Sequence, residues 1–328
     1  MLNPPPRNSL AEFAPSFGQR VLLTVDTEEE FDWDGPFTRD QHGLKHVARM
    51  AEFQSFCEKL GTAPLYLVDW PIVHCDSAVE LIGDALARGT AEIGIQLHPW
   101  VNPPFQEEVN ERNSYAGNLP QELEREKFTQ LRDAIADRFN TNPLVYRAGR
   151  YGLGPHSADM LLEAGVAIDT SVRCHFDYRP GSGPDYSRHP RRPYWVDEGR
   201  HLLELPVTTV FWGMLRKQAR AIYPRLEGRP GLLSALSRLG ILERIALTPE
   251  GVTSEEAIRA LDMAIDDGLP IIVLSLHSPS LDVGHTPYVR SEEDLAKLYD
   301  WLRVVIGYCE LRGVKPTSVA EIMQSTIV

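Results

Sequence analysis

Seven short apolar runs recur along the chain: RVLLTVD (20–26), APLYLVD (63–69), AEIGIQLH (91–98), PLVYRAG (143–149), VAIDTSV (166–172), HLLELPVT (201–208) and PIIVLSLH (270–277). Runs this brief and this rich in Val, Ile and Leu predict strands buried on both faces. Between them the apolar period lengthens to that of a helix. Over 44–61, Val47, Met50, Phe53 or Gln54, and Cys57 fall on one face, and Gly61 closes the pattern. Thr253 and Glu256 stand in capping-box spacing, and Ser291 opens a further helix by the same device. Strand therefore alternates with helix, which predicts an α/β fold of parallel strands joined by crossover helices.

Two segments break the alternation. Residues 176–199 are rich in Pro, Gly, Tyr and Arg and carry no period, so they form a long excursion; its Tyr178, Tyr186, Tyr194 and Trp195 are expected to cover the rim as a lid. The stretch from about 211 to 250 reads as a helical insertion. With no repeat and no Ser/Gly linker, 1–328 is expected to be a single domain.

The chain has 328 residues, 43% of them hydrophobic, enough for a large core. Lys and Arg total 33 against 46 acids, a net charge of -13, and no basic run interrupts that balance. Nucleic acid is excluded as an expected partner, because duplex binding needs basic side chains on phosphates. No apolar run reaches the roughly 20 residues that span a bilayer. The first residues resemble no secretory leader, so a cytoplasmic location is expected. Cys57, Cys75, Cys174 and Cys309 are scattered and read as reduced.

Five polar residues fall at or near carboxyl ends of the expected strands: Asp26, His98, Arg147, Asp169 and His277. In a barrel of parallel strands these ends share one rim, where such folds assemble their sites. The first strand is also followed by a crowd of acids, Glu28, Glu29, Glu30 and Asp32. Either these are merely solvated, or a positive charge belongs among them.

TVDTE, HPWVN, RAGRY, DTSV and LSLH occur in the order and approximate spacing of the five motifs of the polysaccharide deacetylases, carbohydrate esterase family four, which the sequence resembles from residue 24 to 277. DTEEEFDW, RAGRYG and LHSPSLDVGHTPYVR further resemble a cytoplasmic bacterial branch, the WalW-like proteins. The resemblance implies a distorted (β/α) barrel of seven or eight strands and metal-assisted hydrolysis of an N-acetyl group on a sugar. It implies Asp26 as general base, Arg147 as the residue that orients it, and Tyr151 at the position whose backbone N–H faces the oxyanion. It further implies His277 as the acid that protonates the leaving amine, Asp169 as the acid that tunes it, and Leu274 and Leu276 beside the acetyl methyl group. Amide hydrolysis needs those functions: an activated water, a stabilised oxyanion and a proton for the departing nitrogen.

The metal site departs from the family pattern. Thr27 follows Asp26, so the ligand carboxylate falls to Glu28, which projects to the same side as Asp26 by strand alternation. His98 is present, but four residues on stands Asn102, whose amide binds zinc more weakly than imidazole. Three outcomes follow: a divalent ion, zinc or cobalt, held weakly by Glu28, His98 and Asn102 or another acid; a metal-independent amidase acting on a small ureido or cyclic amide; or a non-catalytic carbohydrate-binding or regulatory protein. Glu29 and Glu30 are expected to be solvated or paired with arginine. Gly149 stands where the family prefers Pro. Trp33 and Trp100 are candidates for stacking on a sugar, and Arg150 for an anionic one. The expected partner is an N-acetylated sugar or polysaccharide precursor.

Overall fold

The computed structural model describes residues 1–327. All seven expected strands are present, as Arg20–Thr27, Leu65–Val68, Glu92–Leu97, Val145–Ala148, Ile168–Asp169, Leu203–Glu204 and Ile271–His277. They lie side by side and parallel, with Ile271–His277 next to Arg20–Thr27 and the others following in chain order. Two-residue strands extend the sheet: Tyr194–Trp195 pairs antiparallel with Leu203–Glu204, and Lys315–Pro316 pairs with Arg20–Thr27. The sheet curls into a partly open barrel. Its two sides are joined by scattered bonds rather than a ladder: the Val273 amide donates to Thr208 Oγ1 (2.9 Å) and the Ser275 amide to the Leu247 carbonyl (3.1 Å).

Side chains alternate between the two surfaces of this curl. Leu22, Leu65, Leu67, Val145, Leu203, Ile271 and Val273 pack together as an apolar plug inside it. Their alternates, among them Val21, Leu23, Val25, Tyr66, Tyr146, Ile272, Leu274 and Leu276, face the outer helices in the larger core. Inside, the plug gives way toward the strands' carboxyl ends to Thr24, Asp26, Arg147 and Ser275, which are all buried.

The helices form where the period placed them. Val47–Lys59 buries Val47, Met50, Phe53, Gln54 and Cys57, and the chain turns away at Gly61 with φ +64°. Ser254–Asp266 carries the reciprocal capping box of Thr253 and Glu256, and Ser291 accepts from the Asp294 amide at the start of Glu292–Leu311. The 211–250 stretch holds two helices, Ala219–Leu226 and Pro230–Arg238, inside an antiparallel pair, Thr209–Trp212 with Glu243–Ala246. The strands at 209–212 and 243–246 stand where the sequence predicts a helical insertion, because runs of four residues are too short to fix a period. No described helix is long and apolar enough to cross a membrane.

Candidate active site

The carboxyl ends of the strands open into a cavity of about 320 Å³. Asp26 and His277 stand side by side in its lining, with His277 Nε2 3.7 Å from Asp26 Oδ2. Register brings them together, since Asp26 and His277 are direct partners on adjacent strands. Each is held by a buried partner of opposite charge. Arg147 Nη1 pairs with Asp26 Oδ1, while its remaining nitrogens donate to Thr24 Oγ1 (3.0 Å) and the Thr170 carbonyl (3.0 Å). His277 Nδ1 lies 2.7 Å from Glu250 Oε2, and Glu250 Oε1 accepts from Ser280 Oγ (2.6 Å) and the His277 amide (3.1 Å). Burial alone would lower the His277 pKa, but Glu250 first and then Glu28 and Asp26 outweigh it and raise it to about 10. Glu250 in turn is held below its ordinary value despite its burial, chiefly by His277.

Asp169 does not meet His277. It shares the outward parity of Tyr146, accepts from Ser171 Oγ (2.6 Å), and is registered against Glu204. Burial raises the pKa of both carboxyls, that of Glu204 more strongly because the charge of Asp169 lies beside it. Through Ser171, whose hydroxyl accepts from the Ala148 amide (2.8 Å), Asp169 braces the turn after Val145–Ala148. The same parity turns Leu274 and Leu276 into the outer core, away from the cavity, where Val207, Ala246 and Leu247 supply the apolar lining. Glu250 was missed because it sits in the stretch read as helical insertion; the clue in the sequence was a carboxylate closing the short run RIALTPE.

The acids after the first strand are not solvated, save one. Glu28 lines the cavity, with Oε2 accepting from Gln96 Nε2 (3.1 Å) and standing 3.5 Å from His98 Nε2, while Oε1 is buried without a partner. Burial first, then Asp26 and Glu29, raises its pKa to about 8 against the opposing pull of His277 and His98. Glu29 lies behind His98: its carboxylate accepts from Trp100 Nε1 (2.7 Å) and stands 2.9 Å from His98 Nδ1. Glu30 binds the His46 amide (2.7 Å) and imidazole (3.0 Å). Neither pairs with an arginine. Asp32 is exposed and caps its own turn by accepting the Asp34 amide (3.0 Å).

Glu29, Asp69 and His98 offer ligand atoms within 4.8 Å of one another, a cluster that can share a divalent cation. Burial raises both carboxyls, Asp69 strongly, and a cation would offset that. The residues fit such an ion on either side of the His98 ring, since the orphaned Glu28 Oε1 also lacks a positive neighbour in contact. Asn102 is no part of either set. It is fully buried, and its amide donates to the carbonyls of Pro103 (2.7 Å) and Lys127 (3.0 Å).

Trp33, Trp100, Arg150 and Tyr151 all line the cavity. Trp33 meets His277 edge-on at 4.9 Å, and Trp100 stacks on His98 at 4.3 Å. Arg150 and Tyr151 are both in the left-handed region, φ +54° and +60°, an expensive pair for residues with a Cβ. Gly149 before them has a steric reason: an added Cβ would lie 2.3 Å from His98 Cδ2 and 2.6 Å from the Leu97 carbonyl oxygen. Of the expected lid aromatics, only Tyr178 reaches the cavity; Tyr186, Tyr194 and Trp195 are buried.

No family model matches the sequence. No curated protein shows significant similarity to it. Among solved structures, a candidate polysaccharide deacetylase from Mycobacterium smegmatis aligns over 97% of this chain and 98% of its own, at 15% identity and a TM-score of 0.51. The PuuE allantoinase aligns over 95% and 91%, at 13% identity and 0.55. A 4-alpha-glucanotransferase from Thermococcus litoralis gives 0.53 at 13% identity over 94% of this chain, which spans only 40% of that enzyme. These likenesses establish the fold, that of the polysaccharide deacetylases and their distant structural relatives. On it stands a His/Asp/Glu cluster able to bind metal.

Proposed function

We propose that the protein is a hydrolase of carbon–nitrogen amide bonds that removes the acetyl group from an N-acetylated sugar, in keeping with the motif resemblance to the polysaccharide deacetylases. The observation that carries this reading is the Asp26–His277 pair, an acid and a base side by side in the lining of a cavity of small-molecule size, each with its own buried counter-charge. Asp26 takes a proton from the attacking water, whose oxygen bonds to the amide carbon. Arg147 fixes the carboxylate in place. The carbonyl becomes a tetrahedral oxyanion, and when it collapses the carbon–nitrogen bond breaks. His277 delivers its proton to the departing nitrogen, so that acetate and a free amine leave. Zinc or cobalt held by Glu28 and His98 on the cavity side would supply polarisation of the carbonyl and an acidified water, whereas an ion among Glu29, Asp69 and His98 would lie behind the His98 ring and act on it alone.

The test is acetate release from N-acetylated sugars and their nucleotide- or lipid-linked forms, with zinc or cobalt added. Activity should vanish in Asp26→Asn and in His277→Ala. No acetate from any of these substrates would sink the proposal. A second reading, a metal-independent amidase acting on a small ureido or cyclic amide, is favoured by Asn102, which is turned away where the family places a second imidazole. Chelator-resistant turnover that still needs His277 would select it.

A further inference from the structure

Most charges around the cavity are matched. Asp26 has Arg147 and Glu250 has His277, while the one unmatched acid, Glu28, belongs to the candidate metal site beside His98. Among the cations, Arg173 is the exception. Its side chain lines the cavity and is half-buried, yet no carboxylate lies within ion-pair distance among the described residues. A guanidinium presents five N–H donors in a planar fork. Here one Nη reaches the Tyr178 hydroxyl at a long 3.5 Å, and Nε is buried with no partner at all. Stacking over Phe176 (4.1 Å) and Tyr151 (5.4 Å) holds the guanidinium plane but satisfies none of these donors. Donors withdrawn from water and left unpaired are costly, which is the condition that a bound anion relieves.

A second cation stands on the same wall. Arg150 lies over Tyr115 (4.2 Å) and Phe37 (4.9 Å), donates to Ser114 Oγ, and approaches Glu111 only to 3.8 Å. Tyr151 follows Arg150 in the chain, stacks on Tyr178 at 5.8 Å and carries the Arg173 guanidinium 5.4 Å from its ring centroid, so the two arginines flank one pair of tyrosines. In a chain of net charge -13, a half-buried guanidinium without a carboxylate partner in this cavity is not a general electrostatic feature.

We propose that Arg173, with Arg150 beside it, forms an anion-binding subsite of the cavity, so that the substrate carries a carboxylate or phosphate group in addition to its amide. The amide part rests on the hydrolase reading; the anion part does not. Planar, bidentate recognition of either oxyanion is what a guanidinium fork does best.

Calorimetric titration at low salt with N-acetylglucosamine, its 1-phosphate and N-acetylglucosaminuronic acid tests this. One or both anions should bind at least about tenfold more tightly than the neutral sugar, and which of them does so identifies the source of the charge. The preference should disappear in Arg173→Gln and weaken in Arg150→Gln, read in each variant as the ratio of anionic-sugar to neutral-sugar affinity. Should Arg173→Gln fail to fold, Arg173→Met keeps an apolar stem over Phe176 and serves for the same comparison. Equal binding of all three sugars, or a preference that survives loss of both arginines, overturns the proposal. Anion preference without acetate release sinks the hydrolase reading alone. Acetate release without anion preference sinks the subsite alone.

Discussion

His277 Nδ1 stands 2.7 Å from Glu250 Oε2, a residue 27 positions earlier in the chain, and this contact governs the charge on the imidazole. Replacing Glu250 with Gln removes the largest influence raising His277. Turnover should fall on the order of 10²-fold, and the alkaline limb of its pH profile should move to lower pH. Imidazole titration followed by NMR reads the same shift without relying on activity. The sign for stability follows from linkage: a folded value of about 10 against an ordinary 6.5 stabilises fully below 6.5, and that contribution is lost as pH rises through about 10. The wild type should thus exceed Glu250→Gln in stability at neutral pH, with the gap closing in strong alkali and again in acid, where Glu250 itself takes a proton.

For Glu28 the slope has the same sign, but here the charged form is the one the fold penalises. Its folded value of about 8 lies above the ordinary 4.5, so in chelator the protein loses stability as pH rises between those two values and remains penalised above them. The penalty is on the order of 5 kcal/mol at most. Glu28→Gln should flatten this slope, melting higher than the wild type at pH 9 and no higher at pH 4. Parallel melting curves for the two proteins across that range would contradict the assignment.

Asp26 and Arg147 are both buried, so removing one strands the other. Asp26→Asn should abolish turnover and cost about 3–5 kcal/mol of stability, because the guanidinium is left without its counter-charge. The double variant Asp26→Asn/Arg147→Met should recover much of that stability and none of the activity, measured by denaturant unfolding beside acetate release.

Metal content separates the two sides of the His98 ring. His98→Ala should lose any bound zinc or cobalt. If the ion sits among Glu29, Asp69 and His98, Glu29→Gln loses it and Glu28→Gln retains it; if it sits on the cavity side, the two variants exchange behaviour. Asn102→Ala should leave metal content unchanged and lower the melting temperature, since its amide ties two backbone carbonyls.

Gly149→Ala should disturb His98 rather than the turn alone. The added methyl would meet the imidazole at 2.3 Å and the rigid Leu97 carbonyl at 2.6 Å, so neither neighbour can yield cheaply. Loss of metal affinity at little cost in secondary structure, read by metal titration and circular dichroism, is the expected outcome.

By itself the sequence determined the seven strands, the helices between them and the clustering of polar groups at one end, because continuous apolar runs, helical periods and caps are properties of neighbouring residues. Alternation along a strand, a local property too, already contained the fate of Asp169, Leu274 and Leu276: each sits one step out of phase with the residues that face the interior. Tertiary structure alone decided the rest. Glu250 reaches His277, Arg173 stands without a partner and Asn102 turns into the backbone because chain segments far apart in sequence come together there. Whether a buried charge is matched depends on those distant neighbours, and no local pattern encodes them.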